Sequence, residues 1–166
     1  MNVVKKVVVV TNSHSDIGEE TALQFAALGC KMVLVGSDDA EIRQVALKCR
    51  QKSPREMRAD LTVDAERVKL VDSVIDHYDR IDILVNNFDH GTFTPIDDAN
   101  LIRNYDKILN ADLRPLLHLI YLFRAHLEKS KGNIVNVSSV FGMRPVQNFN
   151  WTKKFDNLRS LAHNYF

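Results

Sequence analysis

Four short apolar runs, Val7–Val10, Met32–Val35, Ile83–Val85 and Ile134–Val137, punctuate a chain that otherwise follows a helical period. Each is bounded by polar or turn-forming residues and rich in Val and Ile, the pattern of a strand buried on both faces in a parallel sheet. Between them the apolar positions recur three and four apart. Ala22, Phe25 and Ala26 share one helical face, Val68, Val71, Ile75 and Tyr78 a second, and Leu113, Leu116, Leu117 and Ile120 a third, on a long helix near residues 104–128. A weaker strand is expected near Glu56–Ala59, after Pro54. Gly29 stands where a helix C′ residue should, and Gly132 separates Lys131 from the last run in the same way. The order is therefore βαβαβαβαβα. It predicts a doubly wound parallel sheet of about five strands in one α/β domain spanning residues 1–166, with residues 88–100 as the longest loop.

Composition narrows the picture. The 166 residues carry 22 Lys and Arg against 21 Asp and Glu, a net charge of +1, with the signs interspersed along the chain. That excludes a basic nucleic-acid tail and an acidic disordered one. No run is long enough for a signal-peptide core or a membrane span, and the two cysteines, Cys30 and Cys49, are too few for a disulfide framework. The expectation is a cytoplasmic protein with reduced thiols, free of membrane and nucleic-acid partners. Asp76, His77, Asp79 and Asp82 cluster in sequence but straddle a helix end and the next strand, so they read as solvated caps and no metal site is expected.

Parallel sheets of this kind bind ligands at the carboxyl ends of their strands, beside the point where strand order reverses. The first such loop, Thr11 to Gly18, runs from a strand directly into a helix, a geometry suited to a pyrophosphate. Together with Asp60-Leu61 after the third strand, Val85-Asn86-Asn87 after the fourth and Asn133 to Ser139 in the fifth, it resembles the classical short-chain dehydrogenase/reductase family, in order and spacing over nearly the whole chain. The resemblance implies a Rossmann-type fold and an oxidoreductase acting on an alcohol or carbonyl with NAD or NADP. It implies cofactor contacts from Thr11, Asn12, Ser15, Asp16, Ile17 and Gly18, from Ser37 at the end of the second strand, and from Asp60, Leu61 and Asn87. It also implies a homodimer through two helices that pair between subunits in the family. Measured against family members, the chain corresponds to the first two-thirds, so the sheet edge beyond Ile134–Val137 is expected to lack its neighbour, giving marginal stability or dimerisation.

Departures from the family pattern carry as much information. Of three family glycines in the first loop only Gly18 remains; Asn12 is a mild replacement because Asn tolerates positive φ, whereas Asp16 puts a carboxylate beside a pyrophosphate, a repulsion of about 1 kcal/mol per charge pair at contact in water. Asp16 reads as a helix N-cap, and Asp38 and Asp39 as caps of the second helix. His14 reads as a solvated loop histidine. Phe88 and Asp89 replace small residues after Asn86-Asn87, and are expected to obstruct the crevice.

In the family a tyrosine is the acid/base, a lysine lowers its pKa, a serine binds the substrate oxygen and an asparagine positions a water. Ser139 matches the serine. No tyrosine lies between Tyr121 and Tyr165, so the nearest match, Phe149-Asn150-Trp151-Thr152-Lys153, keeps Lys153 and places Phe149 at the tyrosine position without a hydroxyl; Asp112 stands for the asparagine. The expectation is a degenerate member with weak or absent cofactor binding and little activity, against the alternative of an active oxidoreductase with an atypical site.

Overall fold

A computed structural model describes residues 3–49, 54–88, 94, 95 and 97–138. Among them the order is β1 (Val7–Val10), α1 (Asp16–Ala27), β2 (Lys31–Gly36), α2 (Asp39–Lys48), β3 (Arg55–Arg58), α3 (Asp64–Tyr78), β4 (Ile83–Asn86), α4 (Leu101–Ile108), a π turn (Leu109–Leu113), α5 (Arg114–Ser130) and β5 (Asn133–Asn136). All strand pairs are parallel and the sheet runs β3-β2-β1-β4-β5, the doubly wound architecture that the sequence pattern predicts. Chain order reverses between β1 and β4, so those two carboxyl ends border the crevice.

The four valines of β1 are at most 1% exposed, because helices cover both faces of the central strand. Val7 and Val9 join Val74, Leu84, Phe123 and Leu127 on the α3/α5 side, whereas Val8 and Val10 join Ala22, Met32, Leu34 and Ile42 on the α1/α2 side. Burial of one such valine is worth roughly 1.5–3 kcal/mol. Cys30 and Cys49, unpaired and buried, belong to the second cluster.

Two helix faces differ from the expected ones. On α3 the buried set is Arg67, Leu70, Val71 and Val74, and Val68 is exposed. On α5 it is Pro115, Leu116, Leu119, Phe123 and Leu127, and Leu117 is exposed. Leu113 lies instead in the π turn that divides the expected long helix into α4 and α5. The third strand starts at Arg55, one residue before the expected Glu56. Gly29 takes φ +81° after α1, as its position requires; after α5 the left-handed residue is Lys131, at φ 52°, not Gly132. Gly132 serves by closeness, since a Cβ there would stand 2.5 Å from the Asp82 carbonyl oxygen.

Candidate functional site

Because β1 and β4 are neighbours, the loop after β1 meets the end of β4 at short range. The buried Thr11 hydroxyl donates to Val85 O (3.3 Å) and accepts from Asn87 N (2.8 Å), tying the two strand ends together. Asn12 takes φ 47°, the left-handed conformation an asparagine tolerates, and its carbonyl accepts from Ser15 N (3.2 Å), Ser15 Oγ (3.0 Å) and Asn87 Nδ2 (3.2 Å). Asn87 Nδ2 also donates to Ser15 Oγ at 2.8 Å. Gly18 closes this knot: a Cβ would fall 2.2 Å from Asn12 O and 2.9 Å from Asn87 Nδ2, so helix α1 can approach the strand this closely only with glycine there.

The cap of α1 is Ser15, which accepts from Gly18 N at 3.2 Å, and not Asp16 as expected. Ser15 has the extended backbone of a cap (φ −70°, ψ 159°), which moves Asp16 into the first turn, where its carboxylate is exposed. Ile17 beside it is exposed as well. At the end of β2, Asp38 caps α2 as expected, accepting from Ala40 N (2.8 Å) and Glu41 N (3.1 Å), with Asp39 next in the helix and Ser37 exposed before it. Asp60 forms a local turn, accepting from Thr62 N (2.9 Å) and Thr62 Oγ1 (2.7 Å), and Leu61 packs on the core.

His14 is not a solvated loop histidine. Its ring packs on Gly36, where a Cβ would stand 2.9 Å from Nδ1, and its Nε2 lies 3.3 Å from Glu41 Oε2. Phe88 is 3% exposed and packs into the core cluster with Leu84, Leu116 and Leu119. Its ring fills the α3/α5 side of the sheet, in place of the obstruction expected of an exposed phenyl at the strand end. Asp89, Ser139, Phe149 and Lys153 lie outside the described residues. Asp112 sits in the π turn, 9% exposed. Asp82 is fully buried rather than solvated, and Asp79 is the left-handed C-cap of α3.

The sequence pattern does not single out Arg67, which is 0% exposed on the core face of α3. Its Nε donates to His118 Nδ1 on α5 (2.9 Å) and its two Nη groups donate to Leu61 O and Asp64 Oδ1. Arg114 pairs with the same carboxylate at 2.8 Å, and its hydrogen bond holds the Asp64 carboxyl below its ordinary value. The one sign of Arg67 in the sequence is a cation at an i, i+3, i+4 apolar spacing with Leu70 and Val71. Arg58 is equally silent in the sequence; its Nε donates to Ser37 O at 3.2 Å.

Ser13 Oγ, His14 Nδ1 and Asn86 Oδ1 are buried without a hydrogen-bond partner among the described residues, and all three stand at the carboxyl ends of β1 and β4. Orphaned polar atoms are uncommon in folded proteins and mark places where a further partner belongs. With the Gly18 packing and the exposed start of α1, Ser13 Oγ and His14 Nδ1, which can each donate, fit a phosphate-bearing ligand across the switch point, whereas Asn86 Oδ1 only accepts and suits a donor, and the Asp16 carboxylate opposes the phosphate.

Sheet order and loop architecture thus define a Rossmann-type α/β protein. Residues 6–151 match the family model described as short chain dehydrogenase, and the chain belongs to that family. An uncharacterized oxidoreductase of Staphylococcus epidermidis is 32% identical over 144 residues, which cover 86% of this chain and 62% of the relative; the chain spans about three-fifths of that relative's length. Among solved structures, a 7α-hydroxysteroid dehydrogenase complexed with NADH and 7-oxo glycochenodeoxycholic acid superposes with TM-score 0.89 at 23% identity, covering 97% of this chain and 64% of that one. A metagenomic short-chain oxidoreductase in complex with NADP gives TM-score 0.84 at 24% identity over 97% of this chain and 75% of that one. At such identity the two establish the fold. No helix among the described residues is long and apolar enough to cross a membrane.

Proposed function

We propose that the chain holds a nicotinamide-dinucleotide crevice at the β1/β4 switch point, binding NAD or NADP weakly, in a protein of alcohol/carbonyl oxidoreductase descent whose hydride-transfer activity is lost or very low. The observation that carries this reading is the knot of Asn12, Ser15, Gly18 and Asn87, which aims the start of α1 across the carboxyl ends of β1 and β4. The dinucleotide, when bound, supplies the hydride donor or acceptor. The chain's own residues supply a preorganised loop and, through Asp16, a carboxylate that weakens phosphate binding. Replacement of the phenol by Phe149 removes the proton-transfer group, a loss of about 100- to 10,000-fold in rate.

A second reading, an active enzyme with an atypical site, draws on Asp112. It is nearly buried in a π turn, an irregularity that recurs at functional sites. Two buried, unpaired thiols support a cytoplasmic location, and the exposed apolar residues Ile102, Leu117 and Tyr121 on α4 and α5 offer a surface for a second copy. The test is calorimetric titration of NADH and NADPH, then an assay of turnover with simple alcohols and ketones. Micromolar-to-millimolar binding without turnover is expected. Silence to millimolar cofactor overturns the crevice, and ordinary turnover overturns the impairment.

A further inference from the structure

We infer that the end of the sheet opposite the crevice is a docking face for an anionic bilayer surface. In a doubly wound sheet the helices run antiparallel to the strands, so strand starts and helix C-termini gather at one end while ligands bind at the other. In this chain the strand starts are basic, and a contact of this kind needs no membrane-spanning run.

Lys5 and Lys6 lead into β1, Lys31 opens β2, Arg80 precedes β4 and Lys131 precedes β5. Backbone hydrogen bonds hold these segments side by side. Lys31 N donates to Lys6 O (2.8 Å), Lys5 N to Gly29 O (2.8 Å), and Asn133 N, two residues after Lys131, to Asp82 O (2.8 Å). Lys129 adds a cation on the last turn of α5. The neighbouring acids are engaged: Asp82 is buried against Arg80 and Lys6, Asp79 lies 4.0 Å from Lys129, and Glu128 pairs with Arg124. Lys5, Lys31 and Lys131 have no carboxylate partner among the described residues. A chain of net charge +1 therefore concentrates positive charge at one end.

Two observations point from this charge to a lipid surface. Val4 (55% exposed) and Leu28 (54%) stand among the lysines, and Val4 Cγ1 reaches to 3.5 Å from where a Cβ on Gly29 would lie. Aliphatic side chains beside flexible ammonium groups suit the headgroup region, where the chains dip inward and the charges stay among lipid phosphates. Lys5 and Lys131 also hold φ of 65° and 52°, where glycine is the relaxed choice, so each lysine is kept at a backbone cost. A nucleic acid would call for exposed rings on which bases stack, and the ring at this end, Tyr78, is half-buried with Lys31 Nζ 5.6 Å above its centroid. Docked by this face, the chain turns its crevice toward water.

The experiment sediments the full chain with vesicles of phosphatidylcholine alone and of phosphatidylcholine mixed with phosphatidylserine. Binding to the mixed vesicles at low salt is expected, with none to phosphatidylcholine, and partition should fall at least about tenfold at about 0.3 M salt as the headgroup field is screened. The double variant Lys5→Gly with Lys131→Gly relieves both positive-φ positions, which circular dichroism checks; at roughly five- to sixfold per lysine it should lose about thirtyfold in partition. Arg103→Gln with Lys107→Gln removes the same charge from exposed positions on α4 and should stay within about twofold of wild type. Equal partition onto the two vesicles, or none onto either, overturns the inference. So does a double lysine variant that binds as wild type does, or an α4 variant that loses as much, since net charge and not this face would then be the cause. A labelled duplex oligonucleotide is titrated at the same salt, and tighter binding to it than to the mixed vesicles assigns the face to nucleic acid and overturns the bilayer.

Discussion

Removal of the Asp82 carboxylate should unpin the lower edge of the sheet. Asp82 is 0% exposed at the start of β4; its Oδ2 accepts from Val7 N (2.9 Å) and Arg80 Nε (2.9 Å), its Oδ1 from Arg80 Nη2 (2.5 Å). Its backbone continues the pattern, with N donating to Val7 O (2.9 Å) and O accepting from Asn133 N (2.8 Å), so one residue gathers the beginnings of β1, β4 and β5. In Asp82→Ala the backbone bonds survive, but the buried Val7 N–H loses its partner, at about 1–3 kcal/mol. The Arg80 pair adds less, about 0.5–1 kcal/mol, because the arginine side chain is 52% exposed and its charge remains hydrated. The sum, about 1.5–4 kcal/mol, is a large part of a domain's stability. Asp82→Asn keeps one acceptor for Val7 but turns a second donor toward the guanidinium, and about 1–2 kcal/mol is expected. Arg80→Gln should cost under about 1 kcal/mol. Urea unfolding of the three variants measures all three values. If Asp82→Ala costs no more than Arg80→Gln, the buried Val7 amide contributes less than the exposed ion pair and the reasoning fails.

Four further outcomes are expected. Arg67→Ala leaves a cavity and orphans the Leu61 carbonyl and His118 Nδ1, and should cost about 3 kcal/mol in thermal or urea unfolding; a neutral result would show that the buried guanidinium holds nothing together. Because Arg114 lowers the Asp64 carboxyl, the pair supports the fold above the ordinary carboxylate range and is lost as pH falls below about 4. Arg114→Gln should therefore raise the Asp64 titration seen by carboxyl NMR, and an unmoved midpoint would contradict the pairing. Burial pushes both cysteine thiols up, so Cys30 and Cys49 should react with a disulfide reagent at pH 8 at least about tenfold slower in the native protein than in urea; equal rates would mean that the thiols are accessible in the folded chain. Gly18→Ala, with its Cβ 2.2 Å from a backbone oxygen, should abolish cofactor binding and lower stability by about 2 kcal/mol or more; tolerance would mean that α1 can move away from the loop.

Most of the sheet is legible in the sequence because parallel strands covered on both faces leave unbroken apolar runs. The third strand is faint because its residues are alternately half-buried and exposed at the sheet edge, so Arg55 gives no apolar signal. Helix faces are less legible for two distinct reasons. On α3 a charged residue occupies a core position, its head group satisfied by Leu61, Asp64 and His118, and hydropathy alone rotates the stripe toward Val68. On α5 leucines stand on two sides, and only packing separates buried Leu116 from exposed Leu117. At the site, Thr11, Asn12, Gly18 and Asn87 stand out in the sequence because their roles are local and their types restricted. The choice between Ser15 and Asp16 as cap is not legible: both residues can cap, and the backbone conformation decides. Arg58 is hidden because its contact with Ser37 arises only from the β2/β3 register.

The π turn sets a phase relation. The widened turn takes up about one extra residue, so α4 and α5 keep nearly the phase of an uninterrupted helix one residue shorter, and Ile108 and Leu116 both reach the core. A single deletion within 109–113 would let the backbone run on as an uninterrupted α-helix with every hydrogen bond made. Such a deletion would leave Ile108 and Leu116 in phase, seven positions and about −20° apart, and would change only the bearings of the residues between them, Asp112 among them. The irregularity thus serves the residues it contains, not the two helices it joins.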